Sequence, residues 1–69
     1  MKQIRPGLYR HFKGKTYRVV EVARHSETLE ELVVYWDEKS QLWVRPKQMF
    51  LGKVTVKGKK VPRFKYEGN

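Results

Sequence analysis

The sequence predicts an all-β fold, a small SH3-like antiparallel barrel of five or six strands with a short 3₁₀ turn. Apolar runs rich in β-branched and aromatic residues recur at positions 19–22, 32–36, 42–44, 54–56 and 63–66, separated by Gly, Pro or polar turn residues. The chain has 69 residues and no cysteine, so a single domain over residues 1–69 is expected to hold together by side-chain packing, with only about 60% of the unfolded surface buried. Barrel closure suits so short an all-β chain because it hides sheet edges that would otherwise aggregate. An OB-like barrel fits less well, being larger and usually carrying a helix between strands.

Taken in order, Pro6-Gly7 turns the chain into a first strand, and Lys13-Gly14-Lys15 forms a hairpin turn in which Gly14 supplies a positive φ. A second strand runs over 16–24. Within it Tyr17 and Val19 share one face while Val20 and Val22 share the other, so strict alternation fails unless both faces are covered or a bulge intervenes, and a β-bulge near Val19-Val20 is expected. Such a bulge would bend the strand as a small barrel requires. Residues 25–29 are polar and lack strand periodicity; Thr28 and Glu31 have capping-box spacing, with room for one helical turn at most. The run 32–36 is apolar on both faces, the mark of a central strand covered on both sides. Asp37-Glu38-Lys39-Ser40 closes a hairpin into Leu42-Trp43-Val44, which Pro46 ends because it cannot donate to the ladder. Residues 46–50 suit a 3₁₀ turn with Met49 and Phe50 reaching inward. Beyond Gly52, Val54 and Val56 alternate with Lys53, Thr55 and Lys57, Lys57-Gly58-Lys59-Lys60 turns, and Phe64 and Tyr66 alternate with Arg63 and Lys65. The expected core is Val34, Met49, Phe50, Val54, Val56 and Phe64, with one of Trp36 and Trp43 in the core and the other partly exposed.

The net charge of +9 is unevenly spread: +6 over residues 1–20, −5 over 21–38 and +8 over the remainder. A fold that brings the two ends together joins the basic segments into one field and sets the acidic segment apart. No run approaches the roughly 20 apolar residues of a membrane span, and residues 1–6 lack the apolar stretch of a secretion signal. A cytoplasmic protein is expected. Arg24-His25-Ser26-Glu27 brings a base, a hydroxyl and a carboxylate together in sequence, but adjacent residues rarely point at one another, and no catalytic role is assigned. Ser26, Glu27 and Thr28 are expected to bond loop amides while His25 anchors the loop; Arg24, His25 and Trp43 are also the candidates for a ligand rim. His11 and His25 come near each other if the first two strands pair, with Glu27 as a third group, but no metal-ligand spacing is present and neither metal nor cofactor is expected.

The stronger set is the aromatic residues Tyr9, Tyr35, Trp36, Trp43 and Tyr66 among Arg10, Arg18, Arg45 and Arg63, because exposed rings stack bases while cations meet phosphates. Arg45 before Pro46 and Arg63 after Pro62 are the arginines whose neighbouring proline restricts the backbone, and each has a structural alternative in an ion pair with Glu21 or Glu30. Arg10, Lys13, Lys15, Arg18, Arg45, Lys57, Lys59, Lys60 and Arg63 are therefore the residues expected to meet nucleic acid. No recognition helix for a major groove is apparent, which favours RNA or single strands over a specific duplex site. The alternative is a protein-interaction module taking an extended peptide, an acidic one included, in an aromatic groove.

The ordered stretches GLYRHFKGK from Gly7, ARHSETLE from Ala23, WVRP from Trp43 with Met49-Phe50, and PRF from Pro62 resemble a small bacterial family catalogued only as domain of unknown function number sixteen fifty-three. The similarity runs from position 7 to about 64. It implies a small β-rich domain and no particular activity. The family often has a longer, Gly-containing turn where this chain has 36–41.

Overall fold

A computed structural model describes residues 4–68, and in it the turn signals divide the chain into seven strands and one helical turn. β1 (Gly7–His11) and β2 (Thr16–Arg24) form the first hairpin, β3 (Glu31–Trp36) and β4 (Leu42–Pro46) the second. α1 (Lys47–Phe50) leads to the hairpin of β5 (Lys53–Val56) and β6 (Lys59–Pro62), after which β7 (Phe64–Gly68) pairs with β1. All pairings are antiparallel, in one sheet of order β4-β3-β2-β1-β7 and a separate ribbon β5-β6. The fold is all-β as expected, but among the described residues no ladder closes into a barrel. There is one strand more than the upper expectation, because Pro62 ends the ribbon, Arg63 donates its N–H to the Gly52 carbonyl at 3.0 Å, and the chain then crosses to β1.

The bulge in β2 has a direct sequence cause. Val19 stands opposite Tyr35 and Glu21 opposite Val34, so Val20 is the extra residue. Tyr17, Val19 and Val22 are thereby brought onto the core side and Val20 is left exposed. The turn after β5 is tighter than expected: Lys57 and Gly58, with φ of 51° and 79°, form a two-residue hairpin loop, and Lys59 and Lys60 belong to β6.

The core consists of Tyr9, Val19, Val33, Tyr35, Phe50 and Phe64, with Ile4, Tyr17, Val22 and Tyr66 packed against it. Phe50 stacks on Phe64 with centroids 4.1 Å apart, and Tyr9 meets Phe50 edge-on at 5.2 Å. The expected core therefore holds for Phe50 and Phe64 and is corrected elsewhere. On β3 it is Val33 and Tyr35 that point inward and Val34 that is half-buried on the far face. The turn at α1 is α-helical rather than 3₁₀, since the Leu51 N–H reaches the Lys47 carbonyl at 2.9 Å, and so short a turn aims only one of its last two side chains at the core. Phe50 is 1% exposed and Met49 51%. Val54 is half-buried, and Val56 is exposed because a two-stranded ribbon has little sheet to cover it. Neither tryptophan is core: Trp36 is 39% and Trp43 50% exposed. The second apolar face of β3 is also less covered than expected. Leu32, Val34 and Trp36 pair with Pro46, Val44 and Leu42, and Trp36, Leu42 and Val44 from this strip are exposed.

Candidate nucleic-acid interface

The register of the five-stranded sheet decides which cations share a face. Arg10 stands opposite Lys65 on β7 and opposite Thr16 on β2, while Leu8 pairs with Arg18 and Arg18 with Trp36. Because side chains alternate along a strand, Lys65, Arg10 and Arg18 lie on the outer face of the sheet, with the half-exposed Trp36 beside Arg18. The first hairpin is tied to the late segment by the Phe12 N–H on the Arg63 carbonyl at 3.0 Å. A groove of about 440 Å³ opens there between Arg10, His11, Phe12 and Gly14 on one side and Val56, Val61, Pro62 and Lys65 on the other. Its floor is apolar and its rim cationic. Lys13 and Lys15 flank Gly14 in the hairpin turn. Lys59 pairs with Val56 and so shares the groove-lining face of the ribbon, whereas Lys60 points to the opposite face.

One carboxylate touches this cluster and a second lies beside it. Glu67 accepts from Arg10 Nε at 3.0 Å while Arg10 Nη1 donates to the Gly14 carbonyl at 2.8 Å, so the guanidinium is held in place and its pKa is raised by Glu67. Glu38 accepts from the N–H and hydroxyl of Thr16 at 3.0 and 3.1 Å, bonds that lower its pKa. The acidic segment is thus not wholly set apart from the basic one.

Arg45 and Arg63 are half-buried rather than displayed on that face. Arg45 faces inward from β4, its guanidinium over the Phe64 ring at 5.7 Å and its Nε donating to the Tyr35 hydroxyl at 3.4 Å. Neither makes an ion pair with Glu21 or Glu30; the acid paired near α1 is Glu31, 3.4 Å from Lys47. Above Arg45, a smaller pocket of about 230 Å³ is lined by Tyr17, Tyr35, Asp37, Trp43 and Arg45. Asp37 organises it. One carboxylate oxygen accepts from the N–H groups of Lys39 and Gln41 at 2.9 and 2.8 Å, and the other from Trp43 Nε1 at 2.8 Å. These bonds, the Trp43 one foremost, hold the Asp37 carboxyl below its ordinary pKa.

The loop after β2 satisfies itself. His25 Nδ1 accepts from the N–H groups of Glu27 and Thr28 at 3.1 and 3.3 Å, Glu30 donates its N–H to the Thr28 hydroxyl at 3.2 Å, and Arg24 Nη1 donates to the Leu29 carbonyl at 2.9 Å. His25 is the loop anchor that its sequence position suggests. The expected grouping of Arg24 and His25 with Trp43 does not form, because Arg24 pairs with Glu31 at one end of β3 and Trp43 with Tyr35 near the other. For the same reason His11 and His25 lie at opposite ends of β2. Among the described residues no cluster of three or more His, Asp or Glu is placed to hold a metal, and α1, with four residues, is too short to fill a major groove.

The profile of a family described as protein of unknown function, DUF1653, matches residues 7–66. The chain belongs to the DUF1653 family. A crystal structure of a DUF1653 protein from Bordetella bronchiseptica is 35% identical and superposes with a TM-score of 0.88, covering 99% of this chain and 92% of that one. No protein of curated function matches. No helix among the described residues of this DUF1653 chain is long and apolar enough to cross a membrane.

Sequence reasoning missed Tyr17 and Asp37 in this DUF1653 domain. The signal for Asp37 was available, since an Asp at the start of a hairpin turn bonds the amides that follow; its grip on Trp43 depends on register. His11, which the sequence suggests only as a metal-ligand candidate, packs instead between Phe12, Tyr17 and Phe64. Burial, with the charges of Arg63, Arg45 and Lys13, lowers its pKa below the ordinary 6.5. A His with a depressed folded pKa favours the fold while neutral, so its contribution is complete above the unfolded value and is lost as pH falls from about 6.5 toward the folded pKa. Melting temperature should therefore drop between pH 7.5 and 5.5. His11→Asn, which retains an acceptor for the Lys13 N–H that Nδ1 now receives at 3.2 Å, should flatten that dependence. Asp37 and Glu38, both held below their ordinary values of 3.8 and 4.5, lose their contribution only as pH falls below those values and do not confuse the test.

Proposed function

We propose that this DUF1653 protein is a non-enzymatic binding module for nucleic acid, RNA or single-stranded DNA, held by its backbone against the basic groove. The observation that carries the reading is the meeting of early and late segments at one groove, with Arg10 and Lys65 in its apolar-floored lining, Lys13 and Lys15 in the adjoining hairpin turn, and Lys59 paired with the lining residue Val56. Such a rim neutralises phosphates without reading bases, so binding is weakly sequence-selective. Arg18 beside Trp36 extends the path across the sheet. Lys57 and Lys60, on the tip and far face of the ribbon, contribute through their general field.

In fold terms we take the five-stranded sheet and the ribbon as the two halves of an SH3-like barrel, with α1 in the place of its short turn before the last strands. The setting we propose is the cytoplasm, in accord with the absence of cysteine. Fluorescence anisotropy with labelled RNA and DNA 12-mers at low salt tests the function. Single strands should bind more tightly than duplex DNA, and equal or stronger duplex binding would count against the assignment.

One observation favours a second reading. β4 is an edge strand whose Leu42 and Val44 are exposed beside Trp36, a surface on which an extended peptide can add as a further strand. Affinity for such a peptide should change little with salt.

A further inference from the structure

The inner pocket has the chemistry of a nucleotide subsite, and nothing in the basic-groove reading requires it. Its walls are aromatic: Tyr17 and Tyr35 meet edge-on at 5.4 Å, and Trp43, half exposed, presents its indole beside them. The indole is not free to swing, because Asp37 accepts its Nε1–H at 2.8 Å and is itself clamped by two backbone amides. A ring that is both exposed and fixed stacks a planar ligand at little entropic cost.

Beside the aromatic walls lies cationic charge without a counter-ion. Arg45 rests its guanidinium on Phe64 and uses Nε on Tyr35, and neither Arg45 nor Arg63 forms an ion pair among the described residues. Arg63 Nε, outside the pocket lining, is buried without a hydrogen-bond partner. His11, next to Tyr17 and Phe64, feels both arginines. Half-buried cations with no acid opposite them favour an incoming anion, and a planar guanidinium suits phosphate in particular.

We propose that the pocket between Tyr17, Tyr35, Trp43 and Arg45 takes one unpaired nucleotide of a bound single strand, its base against Trp43 and its phosphate toward Arg45. The inference rests on the nucleic-acid reading above and adds a discrete base site to it. Asp37 has both oxygens occupied by protein donors, so the site discriminates planar bases from other ligands by stacking rather than by hydrogen-bond readout and should accept all four bases.

The test is a cycle across the interface, with labelled single-stranded RNA 12-mers and the same strands carrying abasic positions. With the wild-type protein, replacing every base by abasic sugar should weaken binding, and Trp43→Ala should weaken binding of the intact strand about tenfold or more while leaving the salt slope nearly unchanged. The two losses should not add. Trp43→Phe, which keeps an aromatic face, should fall between, and Arg45→Lys should weaken binding although its charge is retained. Binding of intact and abasic strands with equal affinity, or additive losses, would overturn the base site while leaving the basic groove in place. No binding of any strand by the wild-type protein would remove both.

Discussion

Phe50→Ala is expected to cost about 3–5 kcal/mol, a large share of what a domain this small can hold. Phe50 is 1% exposed, stacks on Phe64, meets Tyr9 and Tyr35, and is the buried residue of α1, so its loss opens a cavity at the centre of the core cluster. At roughly 4–8 °C per kcal/mol for a chain of this size, the melting temperature should fall by at least about 12 °C. Met49→Ala, one residue earlier, should leave it nearly unchanged, because Met49 is exposed. Thermal unfolding followed by circular dichroism compares the two. Equal losses would show that α1 is rotated from the orientation described.

The largest effect on binding is expected from reversing Lys59 and Lys60 to Glu. Each phosphate that is no longer neutralised should lower the slope of log affinity against log salt by about 0.7 for single strands, and affinity at low salt should drop with it. Lys59→Glu alone should produce most of the change, since Lys59 shares the ribbon face that lines the groove while Lys60 points away. Identical effects of the two single reversals would mean that the general field of the ribbon matters and the groove does not.

Several of these features are legible in the residues. The run Tyr17 to Val22 breaks strict alternation, which points to an extra residue unless both faces are covered, and the bulge falls at Val20. β2 has the bounds its pattern suggests, and the family resemblance over the stretches from Gly7 to Phe64 agrees with the profile match over 7–66. Other features are settled only by packing. In Leu32-Val33-Val34-Tyr35-Trp36 both faces are apolar, so composition cannot say which faces the core; pairing of Tyr35 with Val19 and Trp43 decides it for Val33 and Tyr35. Likewise Met49 and Phe50 are equally apolar neighbours, and the helical geometry of α1 admits only one. Chain length suggests a closed barrel, whereas Pro62 and the crossing at Arg63 separate the ribbon from the main sheet.

The candidate binding residues divide in the same way. Arg10 and Lys65 come together because sheet order places β1 against β7, and the Phe12 bond to Arg63 ties the first hairpin, with Lys13 and Lys15, to the late basic segment, an outcome foreshadowed by the charge distribution. Arg45 and Arg63 look like their neighbours in sequence yet lie half-buried among aromatic rings. A proline beside an arginine says that its backbone is restrained and nothing about which face it takes.

The most direct measurement is the affinity of the wild-type protein for a labelled single-stranded RNA across a range of salt concentrations. Neutralisation of three or more phosphates predicts a log-log slope of about −2 or steeper. Absence of binding at low salt, or an affinity indifferent to salt, would contradict the proposed function.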